Sequence, residues 1–326
     1  MNILPVSLAL LLSCGLAQAA DVAYYDVPKG AHPHDVAADP RPGGPVWYTA
    51  QHQGALGRLD PRTGKVVQIP LGEGSRPHGV IIGPDKALWI TDGGLNAIVR
   101  VDPATHAVKR FPLPIEDYAN LNTATFDKAG VLWFTGQSGY HGRVHPGTGK
   151  VEVWKSPRGR GPYGIATTPS GEVYYASLAG NHIARIDLRS GKATPIEPPT
   201  PGQGARRVWS DSKGRIWVSE WMSGQVSVYD PKAAPAKAWH SWKLPGDKPK
   251  TYSVWVDAHD TVWLTDFAAN AIVRFDPATQ RFEHFPSNRP SAAVRQMLGR
   301  KGEAWGAESA TDRLVVVRYD APAVGD

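Results

Sequence analysis

The chain has 326 residues, a formal charge of +6, twelve tryptophans and a single cysteine. One cysteine excludes a disulfide framework and a cysteine-ligated metal. The lysines and arginines are scattered, which excludes a nucleic-acid-binding stripe, and no apolar run approaches the ~20 residues of a membrane-spanning helix.

In chain order, the apolar run over residues 3–12 and the small-x-small pattern Ala17-Gln18-Ala19 come first. They predict a secretory signal peptide over residues 1–19 and an exported mature domain over residues 20–326, periplasmic or secreted. Cleavage would remove Cys14. Leu11-Leu12-Ser13-Cys14 also loosely matches a lipoprotein signal with Cys14 acylated, and that reading stands as the minor alternative. Residues 22–28 then read as a strand of the kind that ends a repeat.

Residues 76–114 hold four short apolar or alternating runs, at 80–82, 88–91, 97–101 and 108–111, bounded by Gly, Pro and Asp. These are strand signals, and no window of helical length keeps a 3.6-residue period. The stretch recurs. Trp47, Trp89, Trp133, Tyr174, Trp217, Trp263 and Trp305 are spaced by 42, 44, 41, 43, 46 and 42 residues. A second marker keeps step, in Asp60-Pro61, Asp102-Pro103, His145-Pro146, Asp187-Leu188, Asp230-Pro231, Asp276-Pro277 and Asp320-Ala321. A period of about 40–45 residues with four strands per unit reads as a propeller blade. The expected fold is therefore all-β, a single seven-bladed β-propeller with four-stranded blades. The seven aromatics are expected in its core.

The C-terminal run 313–319 reads as a third strand with no fourth after it. The N-terminal strand at 22–27 is expected to complete that last blade and close the ring. The widest spacing, between Trp217 and Trp263, places longer exposed loops at 232–237 and 247–250.

In a propeller, the start of the first strand and the end of the second share one face of the disc. The first set of positions is His34, His78, Asn122, Tyr163, Arg206, Tyr252 and Val294, with Arg207 and Arg295 next along. The second set is Ala50 with Gln51 and His52, then Asp92, Gly136 with Gln137, Ser177, Glu220, Asp266 and Glu308, with Trp221, Tyr140 and His141 just beyond. Each residue alone is explained by turn chemistry or loop capping. Together, mixed-sign polar groups on one concavity predict a small-molecule site at one mouth of the channel.

The repeat resembles the streptogramin B lyase (virginiamycin B lyase) family. The residues that carry the resemblance are Pro77-His78-Gly79-Val80, Leu88-Trp89-Ile90-Thr91-Asp92, Asn96-Ala97-Ile98-Val99-Arg100 and Phe111-Pro112-Leu113-Pro114, with Asn270-Ala271-Ile272-Val273-Arg274 repeating the third element. The resemblance implies a carbon–oxygen lyase that opens an ester of a cyclic depsipeptide by elimination, with a magnesium ion held by acidic residues and a histidine base. It maps metal ligation onto Asp92, Glu220, Asp266 and Glu308. The rim positions make His34, His78 and Glu220 the candidate catalytic groups, and Asn122, Tyr163, Arg206, Arg207, Tyr252 and Arg295 the candidate ligand-binding groups. The family's histidine two residues after a late rim glutamate has no counterpart in Glu220-Trp221-Met222, Asp266-Phe267-Ala268 or Glu308-Ser309-Ala310. Either another histidine is the base, or the chain is a non-catalytic periplasmic binding or scaffolding propeller using the same face.

Overall fold

A computed structural model describes residues 20–319. The expected signal segment with Cys14, and the Asp320-Ala321 marker, lie outside the described residues. The strands form seven antiparallel sheets of four. The blade read first from the sequence consists of Pro77–Ile82, Leu88–Asp92, Ala97–Val101 and Val108–Pro112. Its second strand is buried on both faces because it lies between neighbouring sheets, whereas its fourth strand is mostly exposed at the rim. This is why the second strand opens on the apolar run Leu88-Trp89-Ile90, with its two polar residues, Thr91 and Asp92, hydrogen-bonded, and the fourth carries Lys109 and Arg110.

The seven marker aromatics fill the spaces between sheets and are at most 3% exposed. A buried indole N–H needs an acceptor, and the turn before the second strand supplies it. Asp85, Asp127, Asp211 and Asp257 accept from the Nε1 of Trp89, Trp133, Trp217 and Trp263 at 2.8–3.1 Å. In the last blade Glu303 does the same for Trp305 at 2.6 Å.

The ring closes as expected. Asp21–Asp26 pairs antiparallel with Arg313–Arg318, from Asp21 opposite Arg318 to Asp26 opposite Arg313. The innermost strands, Pro33–Ala38, Pro77–Ile82, Leu121–Phe126, Pro162–Thr167, Ala205–Ser210, Thr251–Val256 and Val294–Met297, touch in succession, and the last meets the first. Within the loop expected at 232–237, Pro235–Lys237 forms one turn of 3-10 helix. A similar turn, not foreseen, occupies Gln51–Gln53.

Candidate functional site

In all seven blades the pairing of first and second strands slips once, near the start of the first strand. A bulge of this kind breaks the alternation of side chains and re-aims those within it. The slipped intervals hold His34 and Asp35, His78, Asn122 and Thr123, Tyr163, Arg206, Tyr252 and Ser253, and Arg295 and Gln296. The irregular segment of each blade is thus the segment that delivers polar side chains to the channel.

A belt of hydroxyls holds the bulges. Thr49, Thr91, Thr135, Ser219 and Thr265 each follow a marker tryptophan by two residues. Thr49 Oγ1 accepts from the Asp35 amide at 3.1 Å and donates to the His78 carbonyl of the next blade at 2.7 Å. Ser219 Oγ accepts from Arg207 N at 3.0 Å and donates to the Tyr252 carbonyl at 2.8 Å. Thr91 and Thr135 repeat both bonds, with donation to the carbonyls of Asn122 and Tyr163.

The groups so placed form one cluster. The His34 and His78 ring centroids are 3.7 Å apart. His34 Nδ1 meets Asp35 Oδ1 at 2.8 Å, and its Nε2 meets Arg295 Nη1 at 3.3 Å. His78 Nδ1 meets the Asn122 carbonyl at 3.0 Å, and its Nε2 meets Asn122 Nδ2 at 3.2 Å. Both rings therefore face an acceptor at Nδ1 and a donor at Nε2, which fixes the neutral Nδ1-protonated tautomer. Arg207 bonds Asp35 at 3.3 Å and also Thr123 Oγ1. The hydroxyls of Tyr163 and Tyr252 are 3.0 Å apart, Arg206 donates to Tyr163 at 3.0 Å, and Arg295 donates to Tyr252 at 3.4 Å. Guanidinium carbons of Arg206, Arg207 and Arg295 lie 3.9, 5.8 and 5.8 Å from the Tyr252 ring centroid.

These neighbours set the ionisation. Burial, then the Arg295 and Arg207 charges, hold His34 well below the usual histidine range. Burial and the His34 ring do the same to His78. Burial alone would raise the Tyr252 phenol, but Arg206, Arg207 and Arg295 overcome it and bring it down to about 7. Tyr163 is pushed up to about 12 by burial and by Tyr252. Arg206 and Arg295 are half-buried, while His34, Arg207, Tyr163 and Tyr252 are buried beneath them. A cavity of about 440 Å³ adjoins His78, lined by Gln51, His52, Ser75, Arg76, Tyr118 and Asn120 among others. A larger one, about 910 Å³, lies at the far ends of the inner strands and is lined mainly by apolar side chains such as Ile82, Phe126, Trp209 and Trp255. It holds none of the clustered groups.

The structure does not bring the four second-set carboxylates together. Asp92 accepts from the amides of Arg76 and Leu95 at 2.9 and 3.0 Å and from Ser75. Asp266 accepts from the amides of Lys250 and Ala268 at 2.8 and 2.9 Å. Glu308 is bound by Ser287, Thr311 and Arg313. Glu220 meets Ser223, and burial raises its carboxyl. Each sits where a strand gives way to a loop and clamps that loop. Tyr140 bonds Asp117, and His141 is buried against Trp154 and Tyr175, so neither joins the cluster. Asp35 and Thr123 were not foreseen as cluster members. The Trp-x-Thr/Ser repeat was the available signal for the hydroxyl belt.

A polar cluster built from the first strands of all seven blades of a closed ring defines a seven-bladed propeller with a candidate site at one channel mouth. The chain belongs to the virginiamycin B lyase family, whose sequence profile matches residues 14–237. It is 28% identical over 198 residues to a virginiamycin B lyase of Nocardia farcinica, covering 61% of this chain and 66% of that one. It is 28% identical over 142 residues to a gluconolactonase of Zymomonas mobilis, covering 35% and 37%. The matched regions span less than two thirds of the length of these curated relatives. Among solved structures, virginiamycin B lyase from Staphylococcus aureus superposes with a TM-score of 0.84 at 20% identity, covering 92% of this chain and 100% of the other.

The family resemblance implies magnesium, and the residues present do not fit it. Magnesium takes a near-octahedral oxygen set. Asp92, Asp266 and Glu308 are engaged by amides, hydroxyls or Arg313, in separate blades, and Glu220, whose Oε1 is buried without a partner, belongs to no group of three such donors among the described residues. Among the described residues the compact donor group is His34, Asp35 and His78, two imidazoles and one carboxylate. That carboxylate is already paired with Arg207.

Proposed function

We propose that this chain is an exported carbon–oxygen lyase of its family that takes a small ester at the mouth formed by His34, His78, Asn122, Tyr163, Arg206, Arg207, Tyr252 and Arg295. The observation that carries the reading is the meeting of three guanidiniums with a phenol that ionises near neutrality. Elimination needs a base for the proton beside a carbonyl, and positive charge for the enolate oxygen and the departing carboxylate. Tyr252 supplies the base. Its phenolate takes the proton, the released electron pair becomes the new carbon–carbon double bond, the carbon–oxygen bond breaks, and the carboxylate leaves. Arg206 and Arg295 supply the charge. The neutral imidazoles of His34 and His78 hold Arg295 and Asn122 in place. Export rests on the Ala17-Gln18-Ala19 pattern.

A second reading, a binding propeller without catalysis, is favoured by burial. Tyr252, Arg207 and His34 are 0%, 1% and 2% exposed, so a ligand that does not displace the mouth meets only the arginines above them. Incubation with a cyclic depsipeptide ester separates the two. Elimination opens the ring without gain of mass, whereas hydrolysis adds one water. The Tyr252→Phe variant is expected to lose about a hundredfold or more in kcat/KM, and the wild-type rate is expected to rise with pH through the Tyr252 ionisation. A wild-type protein that leaves the ester intact removes the lyase reading.

A further inference from the structure

The charge at the mouth does not balance. Arg206, Arg207 and Arg295 surround one tyrosine ring, and the only carboxylate paired with them among the described residues is Asp35, on Arg207. Lys250 adds a fourth cation, its Nζ lying 5.6 Å from the centre of the Trp221 ring on which Arg206 also stacks at 4.5 Å. His34 and His78 are neutral and contribute no compensating charge. Buried guanidiniums are ordinarily paired, because removing a charge from water without a counter-charge is costly. The Nε atoms of Arg206 and Arg207 are also buried without a hydrogen-bond partner. An ionised Tyr252 would offset one guanidinium and leave another unmatched.

We propose that Arg206 and Arg295 bind an oxyanion group of the ligand, a carboxylate or a phosphate, at the channel mouth. The inference rests on the same mouth as the proposed function and names the substrate class: an ester that carries a second, anionic group. Arg206 and Arg295 are the two half-buried guanidiniums of the set and so meet a solute first. Their planar forks suit bidentate oxyanions. Tyr252 touches both, with the Arg206 guanidinium 3.9 Å from its ring centre and Arg295 donating to its oxygen at 3.4 Å. The aromatic wall of Trp221, Phe267 and Tyr252, with ring centroids 4.8–6.1 Å apart, would hold the apolar part of such a molecule.

The test is thermal unfolding and calorimetric titration of the mature protein in acetate, phosphate or sulfate against chloride at matched ionic strength. A ligand that binds only the folded state raises the melting temperature with the logarithm of its concentration. Saturable stabilisation by acetate alone assigns a carboxylate, and stabilisation by phosphate and sulfate assigns a tetrahedral oxyanion. Either supports the inference. Arg206→Gln and Arg295→Gln are each expected to weaken binding on the order of ten- to a hundredfold. Arg206→Gln should melt no lower than wild type in chloride, since it removes unmatched charge. Exposed Arg189→Gln should leave binding unchanged. No saturable response to any of the three anions, or an equal response in both mouth variants, overturns the inference. Oxyanion binding without ester opening would retain this inference and remove the lyase reading; ester opening without an oxyanion response would do the reverse.

Discussion

Tryptophan gives each blade bulk and a donor, and the two demands are met by different neighbours. The ring of Trp89 is stacked on Phe111 at 5.4 Å while its Nε1 reaches Asp85 at 3.0 Å. Trp89→Ala leaves a large void and removes one of the hydrogen bonds to Asp85, and should cost about 3–5 kcal/mol in denaturant unfolding. Ser219 is small but serves two blades. Ser219→Ala strands the Arg207 amide and the Tyr252 carbonyl in a buried place, so a loss of about 1–3 kcal/mol is expected. Ligand affinity at the mouth should fall with it. The carboxylates illustrate how one residue type divides by position. Asp211 and Asp257 hold tryptophans, Asp92 and Asp266 hold loops, and Asp35 faces the channel.

At the scale of the element, two irregularities repeat and both are structural devices. One is the bulge that turns consecutive side chains into the channel. The other is a left-handed residue in the turn between second and third strands: Asn96, Asn181, Asn270 and Asp312, with φ of 48, 54, 52 and 52°. Asn and Asp tolerate this conformation because their side chains bond locally. Here they also staple the following blade. Asn96 Oδ1 accepts from Ala119 N at 3.0 Å, and Asn270 Oδ1 from Ala292 N at 2.8 Å. Asp312 makes the staple across the ring closure, accepting from the amides of Gly30 and His32 at 2.7 and 2.8 Å. Asp312→Ala should therefore lower stability by more than about 1 kcal/mol, and Asp312→Asn should recover part of it. Equal unfolding midpoints for wild type and the alanine variant would show that strand pairing alone holds the ring.

For the whole molecule, the decisive property is a cluster of neutral imidazoles and crowded guanidiniums at the axis. Burial, His52 and Arg295 lower His32 to about 4, and burial lowers His34, His78 and His141 in the same direction. The unfolded chain then takes up protons first. The stability these groups contribute is complete above the ordinary value of 6.5 and is lost as pH falls from there toward 4. Tyr252 acts at the other end. Its folded value of about 7 lies below the ordinary 10.0, so its contribution grows as pH rises from 7 to 10. A melting-temperature profile should fall on the acid side of neutrality and climb on the alkaline side, with the climb absent in Tyr252→Phe. Magnesium is expected to leave the wild-type melting temperature unchanged, whereas a rise that saturates with magnesium would contradict the charge argument for the mouth.

The sequence by itself determined the blade count, the closure and the core, because these depend on local signals repeated seven times. Trp47 to Trp305 keep their period since each fills the same gap between sheets, and residues 22–27 could be matched to the missing fourth strand by composition alone. It also placed His34, His78, Tyr163, Arg206 and Tyr252 at the starts of first strands, since position within a blade follows from counting. Which neighbours those side chains meet was decided only in the folded ring. The pairing slip in each blade leaves no fixed mark in a single sequence, yet it sets whether one or two residues turn into the channel. Contacts such as Arg207 with Asp35, 172 residues apart, exist only once the ring closes. The same holds for Asp92, Glu220, Asp266 and Glu308. Counting put them near one mouth, but backbone amides and hydroxyls of the adjoining loops lay closer than any shared point, and hydrogen bonding to those neighbours won.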